Sequence, residues 1–86
     1  MNWIQHQDVV TQENDEGAFL LHMQSGIYFG LDEVGKNIWH QFKTPTTEAL
    51  ISKYLIESYN LSEEDAKQDS FEFIQSLKEN NLIVER

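Results

Sequence analysis

The stretch Tyr28-Phe29-Gly30-Leu31-Asp32-Glu33-Val34-Gly35-Lys36-Asn37-Ile38-Trp39 changes character part-way along. Tyr28 to Leu31 has the aromatic and aliphatic content of a strand. From Asp32 on, Val34, Ile38 and Phe42 recur at i, i+4 and i+8, the spacing of one helix face, with Trp39 beside them. A strand therefore runs into a helix with a tight junction at Leu31-Asp32. Asp32 suits the N-cap, because its carboxylate accepts from the free N–H groups of the first turn, and Glu33 places a second acid there. Gly35 lies inside the helix, where it costs about 1 kcal/mol against Ala. Its presence predicts something packed tightly against it.

Upstream, the chain reads as strands. Asp8 to Gln12, with Val9, Val10 and Thr11, is the first, and Trp3 and Ile4 are expected beneath it. Asn14-Asp15-Glu16-Gly17 is a polar turn. Ala18 to Gln24 is strand-like, Ser25-Gly26 is a two-residue turn signal, and Ile27 to Leu31 returns. That turn places Met23 opposite Tyr28 and His22 opposite Phe29. One face then carries Leu20, His22, Ile27, Phe29 and Leu31; the other carries Phe19, Leu21, Met23 and Tyr28. Both are largely apolar, so each needs cover or a partner.

Downstream, Lys43-Thr44-Pro45 ends the first helix, since the residue before proline is pushed away from helical angles. Thr46 or Thr47 caps a second helix with the stripe Leu50, Ile51, Tyr54, Leu55 and Tyr59. Asn60-Leu61 is a break. Ser62-Glu63-Glu64-Asp65 has the form of a capping box. It opens a third helix to about Glu79, with Ala66, Ser70, Phe73, Ile74 and Leu77 inward. Asn80-Asn81 stops it, and Leu82-Ile83-Val84 packs back as an extended tail. The expectation is one α+β domain over residues 1–86: a three-stranded antiparallel sheet followed by three helices, similar to a winged helix-turn-helix.

The 86 residues carry six Lys and Arg against fifteen Asp and Glu, a net charge of −9, and no cysteine. Disulfides, thiol catalysis and thiolate metal sites are thereby excluded. The acidic balance disfavours nucleic acid, whose affinity comes from cationic side chains, and anionic membranes. It attracts a basic peptide, and it also serves solubility. No apolar run is long enough to span a membrane and no secretion signal is evident, so the expected compartment is the cytoplasm.

Chemistry is sparse. His6, His22 and His40 share no ligand spacing. His22 reads as a satisfied strand histidine and His40 as solvent-facing. There is no nucleophile motif, and the four glycines at 17, 26, 30 and 35 are too dispersed for a phosphate loop. No enzyme, metal or cofactor is expected. Binding is better supported. Ile27-Tyr28-Phe29-Gly30-Leu31, if last in the sheet, is an apolar edge lacking charge or proline protection before Asp32. Such an edge accepts an extended peptide as a further strand. Phe71 lies off the inward stripe of the third helix, on a face shared with Lys67, Gln68, Gln75 and Lys78. Either it packs on its own domain or it lines a groove with the open strand.

The pattern Tyr28-x-x-Leu31-Asp32-x-x-Gly35-x-x-Ile38-Trp39 after a small hairpin resembles the PqqD-like family. The spacing to Phe73-Ile74-x-x-Leu77 and the closing Leu82-Ile83-Val84 extend the likeness over nearly the whole chain. That family supplies the RiPP recognition element, which holds the leader of a ribosomally made precursor peptide for modifying enzymes. The resemblance implies a leader added antiparallel to Ile27, Tyr28, Phe29, Gly30 and Leu31, resting on a third helix. There it points to Lys67, Gln68, Phe71, Ile74, Gln75 and Lys78. It also implies a separate enzyme partner such as a leader peptidase. The lack of cysteine, the acidic charge and the compact N-terminus look most like the lasso peptide B1 proteins, as a stand-alone monomer. Two other readings compete. A winged-helix DNA-binding regulator needs a basic recognition helix, whereas Ser62 to Glu79 carries six acids and two lysines. A structural subunit of an enzyme complex would use the same open edge.

Overall fold

The computed structural model describes every residue from Met1 to Arg86. The chain begins with a short strand, β1 (Trp3–Gln5), then forms an antiparallel meander of β2 (Val9–Asn14), β3 (Gly17–His22) and β4 (Tyr28–Asp32). Three helices follow, α1 (Glu33–His40), α2 (Glu48–Tyr59) and α3 (Glu63–Glu79), and a last strand, β5 (Ile83–Glu85). A single 3₁₀ turn, Gln41–Lys43, extends α1. The expected class, a three-stranded antiparallel sheet ahead of three helices, is the one observed.

The meander has the order β2-β3-β4, with β3 central. The β3–β4 connection is longer than the Ser25-Gly26 turn predicted from sequence. It spans Met23 to Ile27, is tightened by the Gly26 N–H donating to the His22 carbonyl at 2.8 Å, and sets Gly26 at φ +76°. That left-handed conformation suits glycine. Tyr28 consequently pairs with Leu21 rather than Met23, and Phe29 with Leu20 rather than His22. This is a slip of two residues. Side chains alternate with period two, so an even slip leaves the face assignment intact. Ala18, Leu20 and His22 are buried, while Phe19, Met23 and Tyr28 on the opposite face are exposed.

The helices start where their caps dictate. The Asp32 carboxylate accepts from the Gly35 N–H at 2.7 Å, Thr47 Oγ1 from Leu50 at 3.2 Å, and Ser62 Oγ from Asp65 at 3.1 Å. Asn60 and Asn81, at φ 56° and 55°, take the left-handed conformation that ends α2 and turns the chain after α3. Trp39, Phe42, Leu20, Ile51 and Leu77 form the centre of the core, together with Leu82 and Ile83 from the tail. The Trp39 indole N–H donates to Thr11 Oγ1 at 2.9 Å, which fixes α1 on the inner face of the sheet.

Two helical expectations fail at single positions. Leu50, placed in the α2 stripe, is exposed, and Val34 on α1 is exposed as well. Each sits in the first turn of its helix, where the chain enters from the surface. The N-terminal residues do not lie under β2. Instead β1 pairs antiparallel with β5, Ile4 against Val84, and Trp3 exchanges backbone hydrogen bonds with Thr46. The first and last strands thus form a second small sheet. No helix is long and apolar enough to cross a membrane.

Candidate functional site

Strand β4 has β3 on one side and no strand on the other. The ladder identifies which of its backbone groups are free. In an antiparallel pair, opposed residues alternate between those that exchange hydrogen bonds and those that do not. His22 and Ile27 lie in the β3–β4 register, and the His22 N–H donates to the Ile27 carbonyl at 3.0 Å. Counting along the ladder, Phe29 and Leu31 direct their N–H and C=O groups into the sheet. Tyr28 and Gly30 direct theirs to the open edge. The edge therefore offers two donors and two acceptors, with the spacing an added antiparallel strand requires.

Helix α3 faces this edge across a cleft of about 430 Å³. Gly30, Leu31 and Asp32 form one wall, and Asp69, Glu72, Phe73 and Ser76 form the other. Val34, Gly35 and Ile38 of α1 line it between them. The α3 wall has the spacing i, i+3, i+4, i+7, one flank of a helix. Gly35 packs tightly here: a Cβ in its place would lie 3.2 Å from Leu31 Cδ2 and 3.2 Å from Asp32 Oδ1, so both neighbours would have to shift. This is the tight packing anticipated for a glycine inside α1, and its partners are cleft residues.

The residues picked out in the sequence divide into two groups. Gly30 and Leu31 line the cleft, and Tyr28 and Phe29 complete the strand at its edge. Ile27 ends the preceding loop rather than belonging to β4. The helix residues fall elsewhere. Ile74 is buried in the core. Phe71, Gln75 and Lys78 line a different depression with Met1, Trp3 and Ala49, and Lys67 and Gln68 border a third with Glu48 and Phe71. The Lys78 ammonium lies 4.9 Å from the centroid of the Trp3 ring. Phe71, 53% exposed, is thus separated from the open strand by the body of α3. Helical periodicity shows which residues leave the core stripe, but not which flank meets which neighbour. Asp69, Glu72 and Ser76 were not singled out for that reason; Phe73, expected on the inward stripe, packs against the core and also lines the cleft.

Away from the cleft, His40 lies at the surface, as expected, and has a partner there. Its Nε2 lies 2.8 Å from Glu13 Oε1, and this hydrogen bond, aided by the histidine's charge, holds the Glu13 carboxyl below its ordinary range. Burial and the neighbouring Tyr59 push the Tyr54 hydroxyl upward. His22 is buried with its ring 4.6 Å from that of His6 and its Nδ1 accepting from the Gln24 N–H at 3.3 Å. No group of three or more His, Asp or Glu side chains converges as a metal site would.

A three-stranded antiparallel meander whose β4 edge faces the last of three helices across a cleft is the architecture of a known family of small domains. The chain belongs to the family described as coenzyme PQQ synthesis protein D (PqqD), whose model matches residues 17–83. Among solved structures, it is similar to TbiB1 in complex with the TbiA(beta) leader peptide, with 28% identity over 96% of both chains and a TM-score of 0.86. It also shares the fold of a lasso peptide synthetase B1 complexed with the leader peptide, at 24% identity, with 96% of this chain and 98% of that one covered and a TM-score of 0.81. No curated protein matches the chain.

Proposed function

We propose that this protein binds the leader segment of a ribosomally made precursor peptide and presents it to a separate modifying enzyme, such as a leader peptidase. The leader adds as a strand to β4, uses the free backbone groups of Tyr28 and Gly30, and lays alternate side chains against α3. The observation that carries the reading is the bare β4 edge opening onto a cleft with an apolar floor. Natural edges of this kind are normally charged, bulged or covered. The solved B1 structures similar to this chain are leader peptide complexes, which supports the same use here. On this reading the protein holds a peptide and leaves its chemistry to the partner. The acids along α3 argue against a DNA-reading role.

Two variants test the site. Ser76 is exposed and lines the cleft, so Ser76→Trp fills it without disturbing the core. Phe71→Ala alters the opposite flank. Titration calorimetry with the leader encoded beside this protein's gene should show binding abolished by Ser76→Trp and unchanged by Phe71→Ala. The reverse pattern would move the site to the Phe71 depression.

A further inference from the structure

The cleft carries an uneven set of charges. Asp32, Asp69 and Glu72 line it, and no lysine or arginine does. Asp32 is committed as the α1 cap through the Gly35 N–H. Asp69 and Glu72 are not committed. The protein's one ion pair is His40–Glu13, on another surface, and neither α3 carboxylate accepts a hydrogen bond from a side chain. Both lysines of α3, Lys67 and Lys78, lie on the other flank of the helix. Beside the two free carboxylates the lining includes four apolar side chains, Leu31, Val34, Ile38 and Phe73.

A strand added at β4 turns every second side chain toward α3. Those side chains stand about 6.8 Å apart, two rises of an antiparallel strand. On α3, Phe73 lies four residues beyond Asp69, a rise of about 6 Å. Asp69 and Phe73 are thus spaced to meet successive inward side chains, with Glu72 beside both on the α3 wall. We infer that the cleft selects peptides carrying a Lys or Arg and an apolar residue two positions apart on the strand that pairs with β4, with Asp69 and Glu72 receiving the cation. This rests on the strand-addition reading above and adds the class of peptide to it.

A cation there gains two charge-assisted contacts at the exposed rim of the cleft. An acidic side chain in the same position meets two like charges, so the carboxylates also reject wrong sequences. At the rim of an interface, such charges act mainly on association rate and salt dependence.

The test uses a display library of 14-residue peptides randomised throughout, selected on the full-length protein. Enriched peptides are then measured against three variants: Asp69→Asn/Glu72→Gln, Gly30→Pro and Gly30→Ala. The expected result is enrichment of Lys or Arg two positions from an aliphatic or aromatic residue. Neutralising Asp69 and Glu72 should weaken those peptides about tenfold at low ionic strength, and a Lys→Gln peptide should be indifferent to that change. Peptides that lose binding with Gly30→Pro but contain no cation, or ignore the neutralised variant, would overturn the charge selection and leave strand addition standing. Selected peptides that bind Gly30→Pro and Gly30→Ala equally well would overturn strand addition itself, and this inference with it.

Discussion

Gly30→Pro separates the edge used by the fold from the edge left free. Proline lacks the N–H, and at Gly30 that N–H points away from β3, so no ladder bond is lost in the free protein. Gly30 has no positive φ, and the strain of proline's fixed φ is one that edge strands tolerate. The folded state should therefore lose little, and the melting temperature should stay within a few degrees of the parent. Binding should fare differently. An added strand spends one of its bonds on the Gly30 donor, and the peptide carbonyl that accepted it is left unpaired. Such an orphaned group costs about 1–3 kcal/mol. At about 1.4 kcal/mol per decade, the dissociation constant should rise about 5- to 150-fold. Gly30→Ala is the control. Its Cβ would lie 3.6 Å from Phe19 Cε1, an ordinary contact on the outer face, and it keeps the N–H. Phe29→Pro, one residue away, removes a donor that β3 uses and should damage the fold instead. Titration calorimetry beside a melting curve reads both quantities. A folded Gly30→Pro protein with parental affinity for its leader would refute the reasoning.

Three further predictions concern the scaffold. Gly35→Ala gains helix propensity but crowds Leu31 and the Asp32 cap, so it should lower the melting temperature by a few degrees and weaken leader binding, both visible on one purified sample. Thr11→Val strands the indole N–H of Trp39, a fully buried side chain, and should cost about 1–3 kcal/mol in denaturant unfolding. The lowered pKa of Glu13 means its pairing with His40 stabilises the fold above the ordinary glutamate range and is lost as pH falls through the depressed value. In His40→Ala, the Glu13 carboxyl should titrate higher by NMR, and that acid-side loss of stability should shrink.

Much of this architecture was legible locally. Asp32, the Thr46-Thr47 pair and Ser62 announce three helix starts through side chains that can satisfy the first-turn N–H groups, and Asp32, Thr47 and Ser62 do so. The two sheet faces could be assigned because alternation survives an even register shift. The register itself could not, because Met23-Gln24 gives no sign of joining the turn. The pairing of β1 with β5 joins the two ends of the sequence, and no local pattern encodes it. Of the cleft, the strand wall was readable from its apolar edge. The helix wall was not, because the stripe Asp69, Glu72, Phe73 and Ser76 is mostly polar and resembles a solvated face until β4 is set opposite it.

Amide hydrogen exchange, resolved residue by residue in β4, tests strand addition most directly. In the free protein, Phe29 and Leu31 should exchange slowly, because β3 holds their amides, while Tyr28 and Gly30 exchange quickly. Saturation with leader peptide should slow Tyr28 and Gly30 and change Phe29 and Leu31 little. A leader that binds saturably while the Tyr28 and Gly30 amides exchange as fast as before would contradict the account.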